Sequence, residues 1–178
     1  MRVVLDTCVL VPTFLRLVLL HVANIGQFKI MVSPHILEEW RRAGKNSMET
    51  LEADVAVTQF QRNHLDTIYP NPQNLVEFWL PDKNDIHVLA LAVAQNADAI
   101  VTFNKKDFPK NELIHYGLNR YDPDQLLCMA LQRYPNQIYE VLQPIVSETL
   151  LRNPDLNTKR LWRKSWLGQF GYKFEKLA

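Results

Sequence analysis

Asp6, Glu39, the pair Asp82 and Asp85, and Asp107 beside Asn104 are the residues of this sequence best suited to chemistry, because each lies at the end of an apolar run or in the opening of a helix. Asp6 follows Val3-Val4-Leu5 directly and precedes Cys8 by two positions. A carboxylate at the end of a buried strand is costly unless it is paired or ligated. Hard oxygen ligands gathered in one crevice suit Mg²⁺ or Mn²⁺, which can hold a phosphodiester and make an attacking water more acidic. Without a cation, several carboxylates in one site repel one another and some take up protons. Each also has a plainer role when taken alone: Asp82 and Asp85 as helix caps, Asp107 as a turn residue, Glu39 as a solvated glutamate. Convergence at one sheet edge is what would make them a site.

Other chemistries lack their residues. The sequence has five glycines and neither GxxxxGK[ST] nor GxGxxG, so phosphate binding by those loops is not supported. A phosphoaspartate enzyme would need a second acid two residues after Asp6, where Cys8 stands. The five histidines show no HExxH and no paired metal-ligand spacing, which argues against a zinc hydrolase.

The elements that must position these side chains alternate between strand and helix. Val3 to Leu5 reads as a buried strand, followed by a helix over about Pro12 to Ile25 that stops at Gly26, a residue suited to the left-handed conformation. Phe28 to Val32 reads as a second strand, and Ser33-Pro34 is a hydroxyl cap followed by proline at the first helical position. With about 100° per residue, the apolar Ile36, Leu37, Trp40 and Ala43 put Glu38 opposite the core and Glu39 at its border, able to lean toward the strand ends. A longer helix is expected from Ser47 to about Tyr69, a strand over Val76 to Leu80, and a helix opened by Asp82 to Asp85 and running to Gln95. Ala99 to Thr102 reads as another buried strand, with Asn104 and Asp107 just past its end. Helices should follow from Pro123 to about Tyr134, from Asn136 with a kink or break at Pro144, and from about Asn157 to Phe170. This order implies parallel strands covered by helices on both faces. Residues 1–134 are expected to form one domain, with 135–178 a helical extension packed on it.

Composition bounds the class. A chain of 178 residues, 47% hydrophobic and 22% charged, has the balance of a globular domain. The run Val9 to Leu20 is interrupted by Pro12, Thr13 and Arg16, too polar to span a bilayer, and it shows no secretory leader pattern. Two cysteines outside any CxxC motif fit reduced thiols, so a cytoplasmic protein without membrane attachment is expected. The net charge of +1 conceals an asymmetry: from Arg152 onward seven cations face only Asp155 and Glu175, leaving the rest acidic.

Four segments together resemble the motifs of the PIN-domain family, which includes the VapC-like metal-dependent ribonucleases. Val3-Val4-Leu5-Asp6-Thr7-Cys8-Val9-Leu10 is similar to the opening motif, and Ser33-Pro34-His35-Ile36-Leu37-Glu38-Glu39-Trp40 to the second, in which a helix supplies a glutamate. Asp85-Ile86-His87-Val88-Leu89-Ala90-Leu91-Ala92 resembles the third, and Ile100-Val101-Thr102-Phe103-Asn104-Lys105-Lys106-Asp107-Phe108-Pro109 the fourth. The resemblance covers about Arg2 to Leu131. It implies a three-layer α/β/α sandwich with a central parallel sheet and C-terminal helices added. It also implies Mg²⁺- or Mn²⁺-dependent cleavage of RNA to 5′-phosphate and 3′-hydroxyl ends. Asp6, Glu39, Asp85 and Asp107 would be catalytic and, with Asn104, would hold the metal; Asp82, Thr7 and Thr102 are additional candidates. Many bacterial members are toxins paired with an antitoxin protein, and many form homodimers. Asn104 stands where many members have Asp, which makes Asp107 a candidate substitute.

Past the resemblance, Trp162, Trp166 and Phe170 recur at helical spacing among Arg160, Arg163 and Lys164. Aromatics beside cations can hold single-stranded RNA, yet such a stripe more often packs on a core. Three functions remain open from the residues: an RNA-cleaving enzyme, a catalytically weak PIN-like module that binds RNA or a partner, and a small-molecule phosphohydrolase. Asp6, Glu39 and Asp85 together favour the first.

Overall fold

The computed structural model describes residues 1–45, 50–73 and 78–177. Four short strands, β1 (Arg2–Leu5), β2 (Lys29–Met31), β3 (Ala99–Val101) and β4 (Asn119–Tyr121), form one parallel sheet in the order β2-β1-β3-β4. The helices are α1 (Thr7–Leu10), α2 (Thr13–Ile25), α3 (Pro34–Lys45), α4 (Thr50–Asn63), α5 (Ile86–Ala94), α6 (Lys110–Ile114), α7 (Pro123–Arg133), α8 (Pro135–Arg152), α9 (Thr158–Lys164) and α10 (Gly168–Phe174). The fold is therefore α/β with a central parallel sheet and flanking helices, as the alternation implied. Among the described residues, no helix is long and apolar enough to cross a membrane.

The chain forms two compact units, one of Met1–Val11 with Lys29–Tyr121 and one of Pro12–Phe28 with Asp122–Ala178. This grouping differs from a division at 134/135, because α2 packs against α7 and α8 and so joins the C-terminal helices. In the first unit the central strands β1 and β3 are continuous apolar runs: Val3, Val4, Leu5, Ala99, Ile100 and Val101 are all buried. Buried on both faces, such strands need no polar alternation. Each fully buried valine or leucine contributes roughly 1.5–3 kcal/mol. Register pairs Leu5 with Val101, so the residues following each, Asp6 and Thr102, emerge side by side at one sheet edge.

Ser33 and Pro34 open α3 as expected, the Ser33 hydroxyl accepting from the Ile36 amide at 3.3 Å. Several expectations need correction. Gly26 is not left-handed (φ −73°); a Cβ there would crowd Val22 O, Phe28 and Ala130, and the positive φ falls on Gln27. The helix expected from Ser47 to Tyr69 ends at Asn63, because Thr67 and Tyr69 bond to Val32 along the edge of β2. Ser47 lies outside the described residues, as does Val76 of the strand expected to end at Leu80, and Phe78 to Leu80 form no strand. The helix expected from Asp82 begins as a 3₁₀ turn, Lys83–Asp85, capped by Asp82. Strand β4 escaped notice because it is a polar edge strand, Asn119-Arg120-Tyr121.

In the second unit, α7 starts with a full capping box between Asp122 and Gln125. Pro144 does not end α8, which runs through it. Pro144 and Glu140 both lie on the exposed side, so the carbonyl that the proline leaves without an amide can be hydrated. The last expected helix is two helices, α9 and α10, separated by a turn at Trp166. Trp162 is buried against Phe14, Phe170 and Phe174, with ring centroids 5.3–5.5 Å apart. A Cβ at Gly171 would overlap the Trp162 indole, which is why glycine stands there.

Candidate active site

Asp6 ends β1 with its amide bonded to the Val101 carbonyl at 3.1 Å, which locks the backbone at the sheet edge. Its side chain is only 6% exposed. Oδ2 accepts from the Thr102 hydroxyl at 2.6 Å and from the Cys8 thiol at 3.0 Å. The same thiol accepts the Phe103 amide at 3.3 Å, and the Thr102 hydroxyl accepts the Asn104 amide at 2.8 Å. Cys8 is no general nucleophile in this setting: burial first, and then the charge of Asp6, push its thiol up to about 12.

Glu39 reaches the same place from the second turn of α3. Its Oε2 accepts from the Thr7 hydroxyl at 2.7 Å, and its Oε1 lies 3.1 Å from His87 Nε2. Burial would raise its pKa, but the hydrogen bonds from His87 and Thr7 outweigh that and hold the carboxyl below the usual glutamate value. Glu38, its neighbour, turns to solvent and pairs with Arg42 one helical turn on, at 3.2 Å. The helical phase read from Ile36, Leu37, Trp40 and Ala43 matches the observed faces for the first three, which are buried, whereas Ala43 is exposed at the cavity rim.

Asp85 stands at the end of the 3₁₀ turn before α5, and its Oδ2 accepts from Asn104 Nδ2 at 3.3 Å. Burial, and next the charges of Asp6, Asp82, Asp107 and Glu39, push its carboxyl up to about 7. Asp6, Thr7, Cys8, Glu39, Asp85 and Asn104 line one open cavity of about 500 Å³. Asp82 and Asp107 belong to the flank of Asp85, their carboxylate oxygens lying within 4.8 Å of one another and of its own. Thr102 is fully buried behind Asp6. All eight residues singled out in the sequence therefore gather around the ends of β1 and β3, with Asp82 and Asp107 on the flank and the rest in or directly behind the cavity wall.

The donor set fits a hard divalent cation. It is almost wholly oxygen, anionic, and concentrated enough that one carboxyl is pushed toward neutrality, a cost that a bound cation would remove.

Sequence reasoning missed the histidines. His87 is 3% exposed, holds Glu39 through Nε2, and leaves Nδ1 buried without a hydrogen-bond partner among the described residues. His35 stacks on it with centroids 3.9 Å apart, and burial followed by the His87 ring lowers the His35 pKa. Potential ligand atoms of His35, Glu39 and His87 lie within 4.8 Å of one another, a grouping that the search for paired histidine spacing overlooked. The available signal was His35 and Glu39 four apart on one helix face.

The family model described as PIN domain matches residues 2–106. VapC50 of Mycobacterium tuberculosis (strain ATCC 25618 / H37Rv), whose ribonuclease description is itself provisional, is 39% identical over 62 residues. That alignment takes in 35% of this chain and 37% of VapC50, so the match spans little over a third of the curated relative. The crystal structure of VapBC2 from Rickettsia felis bound to a DNA fragment from their promoter overlaps 68% of this chain and 98% of the matched chain. It does so at 19% identity with a TM-score of 0.49.

Proposed function

The chain belongs to the PIN-domain family, and from that premise we propose that it is a Mg²⁺- or Mn²⁺-dependent endoribonuclease acting at the cavity lined by Asp6, Glu39, Asp85 and Asn104. The observation that carries this reading is the gathering of Asp6, Glu39, Asp85 and Asn104 around one cavity, where burial, and next the charges of Asp6, Asp82, Asp107 and Glu39, push the Asp85 carboxyl up to about 7. Asp6, Glu39, Asp85 and Asn104 would hold the cation, with Asp107 and Asp82 contributing charge from the flank. When bound, the cation supplies the positive charge that binds the phosphodiester and makes a water a better nucleophile.

The protein's own residues set the geometry. Thr102 and Cys8 fix the rotamer of Asp6, and Thr7 and His87 fix the two oxygens of Glu39. Each anionic oxygen is thus aimed before any ligand arrives. Asn104 donates to Asp85 and so restrains the ligand that burial and charge crowding destabilise most. Products with 5′-phosphate and 3′-hydroxyl ends are expected.

Purified protein should cleave single-stranded RNA with Mg²⁺ or Mn²⁺ and not with EDTA. Binding of RNA without cleavage in any divalent metal would instead favour a catalytically weak PIN-like module. A toxin role with an antitoxin partner rests on membership of the PIN-domain family, many of whose bacterial members are such toxins. A neighbouring gene for a small DNA-binding protein that co-purifies with this chain and suppresses its cleavage would support it.

A further inference from the structure

The cavity that gathers Asp6, Glu39 and Asp85 has a single cation among its described lining residues, Arg42. Its place follows from α3: Arg42 stands three residues after Glu39, so the two are neighbours on the helix surface and both reach the same cavity. A guanidinium so placed could neutralise the carboxylates, and here it does not. Glu39 gives its oxygens to Thr7 and His87, and Asp6 gives Oδ2 to Thr102 and Cys8. Arg42 instead donates its Nε to Glu38, at 3.2 Å, and Glu38 is outside the cavity lining.

That pairing leaves the far end of the side chain open. Among the described residues, neither terminal nitrogen of Arg42 makes a hydrogen bond, and the side chain is 67% exposed. An exposed ion pair one helical turn apart is weak, so Glu38 holds the guanidinium beside the cavity without locking it there. The planar fork that remains is suited to two oxygens of one phosphate.

Electrostatics decide what such a group can do. An RNA strand entering an acidic cavity is repelled at every phosphate. A bound divalent cation reverses this at the scissile phosphodiester, which it coordinates. The phosphates on either side still face the acidic wall, and Arg42 is the cation that the wall itself provides. Resting on the nuclease reading, we propose that Arg42 binds a phosphate next to the scissile one and so sets the register of the strand over Asp6, Glu39 and Asp85. It is a substrate-binding residue and holds no metal.

The test is single-turnover cleavage of a labelled single-stranded RNA of mixed sequence in Mg²⁺, with protein in excess. This separates binding, read as the protein concentration at half-maximal rate, from chemistry, read as the maximal rate. Arg42→Ala should raise that concentration about tenfold, the loss of one charged hydrogen-bonded contact, and leave the maximal rate largely unchanged. The slope of log affinity against log salt should fall by about 0.7, one phosphate contact fewer. Arg42→Lys should recover only part of the affinity, because an ammonium keeps the charge and loses the fork. Calorimetric Mg²⁺ affinity and melting temperature of Arg42→Ala should be no lower than wild type. A neutral methylphosphonate at each linkage flanking the mapped cleavage position identifies the partner: at one of the two it should weaken the wild type and leave Arg42→Ala unaffected. Wild-type affinity and salt slope in Arg42→Ala would overturn the proposal, as would methylphosphonate losses that are equal in the two proteins at both linkages. A lower Mg²⁺ affinity in Arg42→Ala would also overturn it, by making Arg42 a support of the metal site. RNA left uncut by the wild type in both Mg²⁺ and Mn²⁺ would refute the nuclease reading and this proposal with it, whereas the other contrary outcomes overturn the proposal alone.

Discussion

The acidic cavity of the first unit and the basic helix α9 of the second handle charge in opposite ways. Around Asp6 and Asp85, like charges are drawn together in a partly buried crevice, and the cost falls on ionisation: one carboxyl moves up to about 7. Along α9, Arg160, Arg163 and Lys164 stand in water, where their repulsion is screened. The first arrangement suits a compact divalent ion, which relieves several charges at one point. The second leaves its cations spread along the exposed face of one helix.

The comparison breaks most directly at Asp6. If the cavity exists to hold a cation, Asp6→Asn should reduce RNA cleavage at least about 100-fold, since loss of charge stabilisation worth several kcal/mol costs a factor of ten per ~1.4 kcal/mol. Metal-free stability should not fall, because an amide relieves repulsion while its oxygen can still accept from Thr102. Steady-state cleavage and thermal melts in EDTA measure the two arms. Near-wild-type turnover would remove Asp6 from the site, and a clear loss of metal-free stability would make its role structural.

A smaller effect separates neighbours on one helix. Glu39→Gln should lower metal affinity and cleavage about 10- to 100-fold, whereas Glu38→Gln should leave both unchanged, since Glu38 pairs with Arg42 at the surface. Calorimetric Mg²⁺ titration of the two variants decides it. Loss confined to the Glu38 variant would contradict the observed faces of α3.

Why Glu39 could be assigned from sequence and His87 could not is a matter of range. Helical phase is local: Ile36, Leu37 and Trp40 fix which way residues 38 and 39 point, and the structure agrees. Asp6 and Thr102 were legible for a related reason, each following a short apolar run that had to be a buried strand. The link from His87 to Glu39 spans 48 residues and depends on how α5 meets α3, which no local pattern encodes. The break at Trp166 was hidden because the rule that glycine closes helices fails there, and the apolar spacing of Trp162, Trp166 and Phe170 imitates one continuous helix. Edge strand β4 went unseen because neither side chain alternation nor an apolar run marks Asn119-Arg120-Tyr121.

The subtlest consequence of a crowded acidic cavity is a pH-dependent stability with an unusual sign. Asp85 ionises near 7 in the folded chain, against 3.8 as its ordinary value. Between those values the folded chain keeps a proton that the unfolded chain has released, so stability falls as pH rises through the window and levels off above it. Glu39 does not mask this, because its pKa is shifted downward and it is ionised in both states above about pH 5. His35 does oppose it, since a lowered histidine pKa adds stability as pH rises toward 6.5. The difference between wild type and Asp85→Asn isolates the carboxyl. In EDTA, the wild type should lose roughly 2–4 °C of melting temperature relative to that variant between pH 5 and pH 8. That range corresponds to about 1 kcal/mol for a chain of this size, after discounting for solvent at a part-exposed group. Saturating Mg²⁺ should abolish the loss, because a bound cation favours the ionised carboxylate, so the melting shift conferred by metal grows with pH over the same window. A metal-free difference that is flat, or that rises with pH, would mean that Asp85 is not crowded in the folded state.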